Sequence, residues 1–270
     1  MIEAKWLRGA TAAAFLLVAS AAHATSYTSN NTGGGDWSTA STWSPNGIPT
    51  TGDDVTIIGS DIVDVSDAQT ALSVTLAGGS GSRTLRLVTG GTLTLDSALT
   101  ALQVNASSDG TNLVEFDGGT LITSNGDVNV NAPALSLARI NFTSTGGTLD
   151  IAGDLTFSGT VSNAQLKFDA GSAGMVVIGG DLGNGGSITQ STTSTFKFNG
   201  ASSQTINSYT FQNLTIDKVS STATLNGPIT VDGDLTITDG VLDDGGNQIT
   251  LNSGTSSSVI MGATGVLKLG

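Results

Sequence analysis

The sequence predicts an all-β chain folded as a parallel β-solenoid (a β-helix), and three observations carry that prediction. Phenylalanines recur at Phe116, Phe142 and Phe168, spaced 26 and 26. Gly-Gly-Thr-Leu begins at Gly90, Gly118 and Gly146, spaced 28 and 28. Gly-Asp begins at Gly126, Gly153 and Gly180, spaced 27 and 27, and returns at Gly233. The markers agree on a period of about 27 residues, inside the range of stacked-repeat architectures. A sandwich or a closed barrel has no reason to repeat one phrase at fixed spacing. A coil of this length holds three short strands and three turns, and stacking coils sets each strand about 4.8 Å from its copy. The chain is long enough for about eight or nine such rungs.

Taken in order, residues 1–24 read as a secretory signal. Lys5 and Arg8 give the positive start, Ala10 to Ala19 the apolar stretch, and Ala22-His23-Ala24 the small-residue cleavage pattern. The apolar stretch falls short of the roughly 20 residues that a membrane span needs. No second stretch of this kind follows, so the expected location is secreted or cell-surface, with no transmembrane segment once the signal is removed.

Residues 25–53 read as an N-terminal cap. They are rich in Ser, Thr, Asn and Gly, and Gly33-Gly34-Gly35, Pro45 and Pro49 interrupt regular structure. Trp37 and Trp43 lie here. Two roles suit them: closing the apolar end of the first rung, as solenoids require, or stacking on sugar rings as a carbohydrate-binding pair.

Residues 54–270 read as the solenoid repeats. Val55-Thr56-Ile57, Ile62-Val63-Asp64-Val65 and Leu72-Ser73-Val74-Thr75-Leu76 alternate apolar with polar residues, which puts one face inward and one outward. No window carries a helical period with capping residues. The three phenylalanines are expected one above another inside the coil, with Val88 in the matching place one rung earlier and Phe198 a further 30 residues along. After Gly180 the period loosens. The chain closes on the alternating strand Val266-Leu267-Lys268-Leu269-Gly270. A solenoid needs a cap over its last rung, so a truncated C-terminus is expected, or else stacking on another molecule.

In the Gly-Asp phrase, Leu155 and Phe157 share the inner face, which leaves Asp154 and Thr156 outside. Glycine is expected to supply the positive backbone angle of a corner, and aspartate to accept from nearby backbone N–H groups. Stacked rungs then bring Asp127, Asp154 and Asp181 into one outward column of carboxylates about 5 Å apart. Repulsion between exposed neighbours is only about 1 kcal/mol in water, so the column stands without any cofactor. If it does hold a metal, Ca²⁺ bridged by carboxylate and backbone oxygens is the expected ion. The alternative is a set of corner residues in Asx turns.

Composition excludes several functions. Without Lys5, Arg8 and Glu3 the chain has 7 basic and 21 acidic residues, a net charge of −14, which argues against a nucleic-acid partner. There is no cysteine, and the single histidine, His23, leaves with the signal. Ser-His-Asp and Cys-His catalysis and His/Cys zinc sites are thereby excluded in their usual forms. Glu115, the one glutamate beyond the signal, faces outward by alternation. Asp53-Asp54 and Asp243-Asp244 are adjacent in sequence, so strand geometry turns their side chains to opposite faces rather than making a catalytic pair.

The stretch Gly35-Asp36-Trp37, Ser41-Thr42-Trp43, Pro49 and Gly52-Asp53-Asp54-Val55-Thr56-Ile57 resembles the start of the eight-glycine domain and of related bacterial surface repeats. Phe198-Asn199-Gly200-Ala201 to Gln204-Thr205-Ile206, and Phe211 to Ile216, are similar to repeats of adhesin-like and autotransporter-passenger proteins. The resemblance implies a right-handed solenoid, an extracellular location and a structural or adhesive role, and it brings no catalytic residues. The expected function is therefore display to a glycan, a cell surface or another copy. The alternative is a carbohydrate-active β-helix, a polysaccharide lyase or hydrolase.

Overall fold

In the computed structural model, which describes residues 24–133, 136–252 and 257–270, the chain winds about 9 turns of a parallel β-solenoid with about 26 residues per rung. The predicted signal lies outside the described residues apart from Ala24. One rung shows the plan. Thr100–Asn105 occupies the first face, Thr111–Asp117 the second and Thr120–Thr123 the third. Asp127–Ala132 then returns to the first face beside its predecessor, with Val130 opposite Val104. Repeated stacking builds two 7-stranded sheets and one 10-stranded sheet, with a separate 3-stranded sheet in the last third. Alternation decides which side chains go inside: along Thr111–Asp117 every second residue, Asn112, Val114 and Phe116, is buried.

The phenylalanine column forms on the second face. Phe116 pairs with Phe142 and Phe142 with Phe168. Their rings stack at 4.5 Å and 4.6 Å with interplanar angles of 13° and 10°. Each buried ring contributes about 1.5–3 kcal/mol by leaving water, and ring contacts add to that. Two members differ from expectation. Leu87, not Val88, stands beneath Phe116, while Val88 pairs with Asp117 on the outside. The segment after Asn105 takes one more residue than the 28-residue count allows, looping around Ser107, whose Oγ donates to Gly81 O at 2.6 Å. Phe198 is not in the column either: it lies on the third face between Ile178 and Ile216. Phe196 is the ring that meets Phe168, edge-on at 6.0 Å.

Two kinds of glycine make the rung possible, and their roles differ from expectation. Positive φ belongs to the first glycine of Gly-Gly-Thr-Leu: +89° at Gly90, +90° at Gly118 and +78° at Gly146. These residues turn the chain from the second face to the third, where only glycine is unstrained. The glycines of Gly-Asp have no positive φ; a Cβ on Gly153 or Gly180 would strike the carboxylate of the aspartate one rung below. They are small for room.

Residues 25–53 begin the solenoid as well as capping it. Ser26–Ser29 pairs in parallel with Asp54–Ile57. Gly34–Asp36 forms a strand against Ile62–Asp64, and Gly34 meets the Ile62 backbone too closely for any Cβ, so the pairing requires a glycine there.

Beyond Gly180 the rung shrinks. Met175 pairs with Thr195 and Thr195 with Asn213, intervals of 20 and 18, against 27 between Thr148 and Met175. A single 13-residue strand, Asn213–Leu225, pairs with Thr195–Phe198 at its start and with Gln204–Ile206 at its end. The shorter coil is why the sequence period loosens there.

Candidate functional site

The structure brings Asp127, Asp154 and Asp181 into one column and gives each carboxylate a backbone partner. Asp127 Oδ1 accepts the N–H of Asp154 at 2.9 Å, and Asp154 Oδ1 accepts the N–H of Asp181 at 2.7 Å. Asp181 Oδ1 accepts the N–H of Thr205 at 2.6 Å. The ladder continues in the shorter rungs: Asn213 Oδ1 accepts from Asp234 N at 3.0 Å, and Asp234 Oδ1 from Ser258 N at 3.1 Å. Bonds to an ionised acceptor are about twice as strong as neutral ones, so each aspartate ties its rung to the next. Glycine precedes Asp154 and Asp181 because the carboxylate below fills the space where a Cβ would stand, whereas at Gly126 the backbone carbonyls of Ser97 and Leu99 fill it. Among the described residues, no group of three or more His, Cys, Asp or Glu is placed to hold a metal ion. What this arrangement does chemically is bind N–H groups of its own backbone.

Trp37 and Trp43 are brought together at the other candidate site, at the N-terminal end. Their rings meet edge-on at 4.8 Å and 70°, and Trp43 Nε1 donates to Trp37 O at 2.8 Å. Trp37 is 0 % exposed and Trp43 2 %. Stacking on a sugar needs an open ring face, and neither indole offers one; both pack into the main core. The geometry is that of a plug over the first rung.

Three arrays escaped the sequence reading. On the second face Asp64, Arg86, Glu115, Asn141 and Lys167 stand one above another. Arg86 clasps Asp64 with a two-pronged bond, Nε to Oδ1 at 2.9 Å and Nη2 to Oδ2 at 2.7 Å, which raises the guanidinium pKa. Burial pushes the Glu115 carboxyl up, against the pull of Arg86. The Lys167 ammonium, 2.7 Å from Asp169, holds that carboxyl low. On the first face a polar ladder faces outward from rung to rung: Asn131 Nδ2 donates to Asn105 Oδ1 at 3.4 Å, and Ser158 Oγ to Asn131 Oδ1 at 3.0 Å. Laying the rungs in register would have exposed both arrays. The third is inside, and the alternation that buries Leu214 and Ile216 is what turns Lys218 inward. Lys218 is fully buried, and its Nζ donates to Gly200 O at 2.7 Å, Ser202 O at 2.8 Å and Gln204 Oε1 at 2.5 Å. Burial pushes it down to about 8, opposed by Asp181.

The fold defines the chain as a parallel β-solenoid. Neither family models nor curated proteins nor solved structures yield a match to it.

Proposed function

We propose that this chain is a structural or adhesive repeat region of a secreted or cell-surface bacterial protein. It works by display, as a stiff rod presenting polar, acidic, Thr- and Asn-rich faces to a glycan, a cell surface or a second copy. The observation that carries the reading is the use made of the repeated chemistry: the aspartate ladder holds rung to rung rather than converging on a substrate. The signal-like 1–24 supports export.

A carbohydrate-active enzyme is the second reading. One observation favours it: Glu115, with its pKa raised by burial, lies two residues from Asp117 on the same outward face. A glycan array combined with a reducing-end assay on polysaccharides separates the two. Binding without new reducing ends supports display. New ends that disappear in Glu115→Gln support the enzyme.

A further inference from the structure

A groove opens where the rungs shorten. The second-face sheet ends at Ser187–Thr189, and the next strand on that side, Thr210–Phe211, belongs to the separate 3-stranded sheet. Gln190 Nε2 reaches across the break to Thr210 O at 3.2 Å. The space has a volume of about 540 Å³, within the roughly 300–1,000 Å³ of small-molecule sites.

Its lining is specific in character. Val161, 56 % exposed, and Ile188 supply apolar surface on the side of the longer rungs. Tyr209 stands in the gap with its ring fixed: the hydroxyl donates to Gly183 O at 2.9 Å, and the ring packs edge-on against Phe211 at 6.5 Å. On the side of the shorter rungs Thr210, Thr230 and Thr250 pair in register, which sets a hydroxyl every ~4.8 Å along the groove. Gln248 adds an amide. Among the described residues, no Asp, Glu, Lys or Arg lines it.

In a chain of net charge −13 this combination selects its ligand. Anionic glycans are repelled by the surrounding field, and a cation finds no carboxylate. A neutral sugar fits on both counts. Its apolar ring face packs on the fixed aromatic and aliphatic surface, and its hydroxyls meet the threonines and the amide. We propose that the groove at the rung-size step binds a neutral saccharide chain. The inference rests on the display reading and names the place and ligand class through which display acts.

The test uses isothermal titration of the full chain with neutral gluco-, xylo- and manno-hexaoses, and with hexagalacturonate as the anionic comparison. Wild type is expected to bind at least one neutral hexaose and not the anionic one. Thr230→Val, which keeps the shape and removes a hydroxyl, should weaken binding about fivefold or more, and Tyr209→Ala further. Circular dichroism checks that each variant is folded, and Thr230→Val decides the matter if Tyr209→Ala is not. The proposal is overturned if no neutral hexaose binds wild type, or if both folded variants bind like wild type. In the second case glycan binding persists elsewhere, so the display reading survives the loss of the groove. Absence of glycan binding together with absence of cell-surface and self-association would remove both.

Discussion

Asp127 Oδ1 accepts the backbone N–H of Asp154 at 2.9 Å, one rung above it. The carboxylate that makes this bond lies against Gly153, so two adjacent residues of the upper rung are shaped by one side chain of the lower. The same relation joins Asp154 to Asp181 across Gly180. An outward residue thereby determines where the next rung sits.

Gly153→Ala should therefore be costly although no positive φ is involved. Its Cβ would meet Asp127 Oδ1 and, at 2.9 Å, the backbone of Gly126. A loss of about 1–3 kcal/mol is expected, as for overpacking in a tight site. Urea denaturation measures it. Adding Asp127→Ala should recover part of the loss, since one of the two collisions is removed.

The phenylalanine stack should be the costliest single place to cut. Phe142 lies between Phe116 and Phe168, with rings on both sides. Phe142→Ala is expected to cost about 3–5 kcal/mol. Phe142→Leu should cost less than half as much, because Leu87 already fills the equivalent place beneath Phe116. Thermal melts of the two variants check the order.

Lys218 carries a pH dependence of definite sign. Burial lowers its pKa from 10.5 to about 8, so between those values the unfolded chain holds a proton that the folded chain lacks. Stability from this group then rises with pH across that window, by up to about 1.4 kcal/mol per unit, and is flat below it. Lys218→Met strips three acceptors of their donor and should cost about 3 kcal/mol near pH 7. The gap between wild type and Lys218→Met should widen from pH 7 to pH 9.5, read as urea midpoints. A constant gap would place the lysine outside this account.

Much of this molecule was legible because a solenoid writes its geometry as a period. Phe116, Phe142 and Phe168 could be stacked from spacing alone, and the outward column of Asp127, Asp154 and Asp181 followed. Counting fails where a corner changes length, which is why Leu87 and not Val88 stands under Phe116. It fails again after Gly180, where the coil tightens: Phe198 lies on the third face, and Phe196 of the same strand meets Phe168 only edge-on. Glycine roles were not legible either. Gly118 and Gly153 look alike in sequence, yet one supplies a φ of +90° and the other supplies space. The groove beside Tyr209 was invisible because it arises from a change in rung size, which no local motif encodes.

The central claim is that the repeated aspartates act as backbone acceptors, and one measurement tests it directly. Asn213 already does the work of an aspartate in the ladder, accepting Asp234 N at 3.0 Å. An asparagine keeps the accepting oxygen and loses the charge that a calcium site needs. The triple variant Asp127→Asn, Asp154→Asn, Asp181→Asn should then lose about 1 kcal/mol per site at most, the difference between a charged and a neutral acceptor, and its melting temperature, like that of wild type, should be the same in calcium and in EDTA. A large drop in melting temperature for the variant, matched by a drop in wild type when EDTA is added, would contradict the account and make the column a metal site.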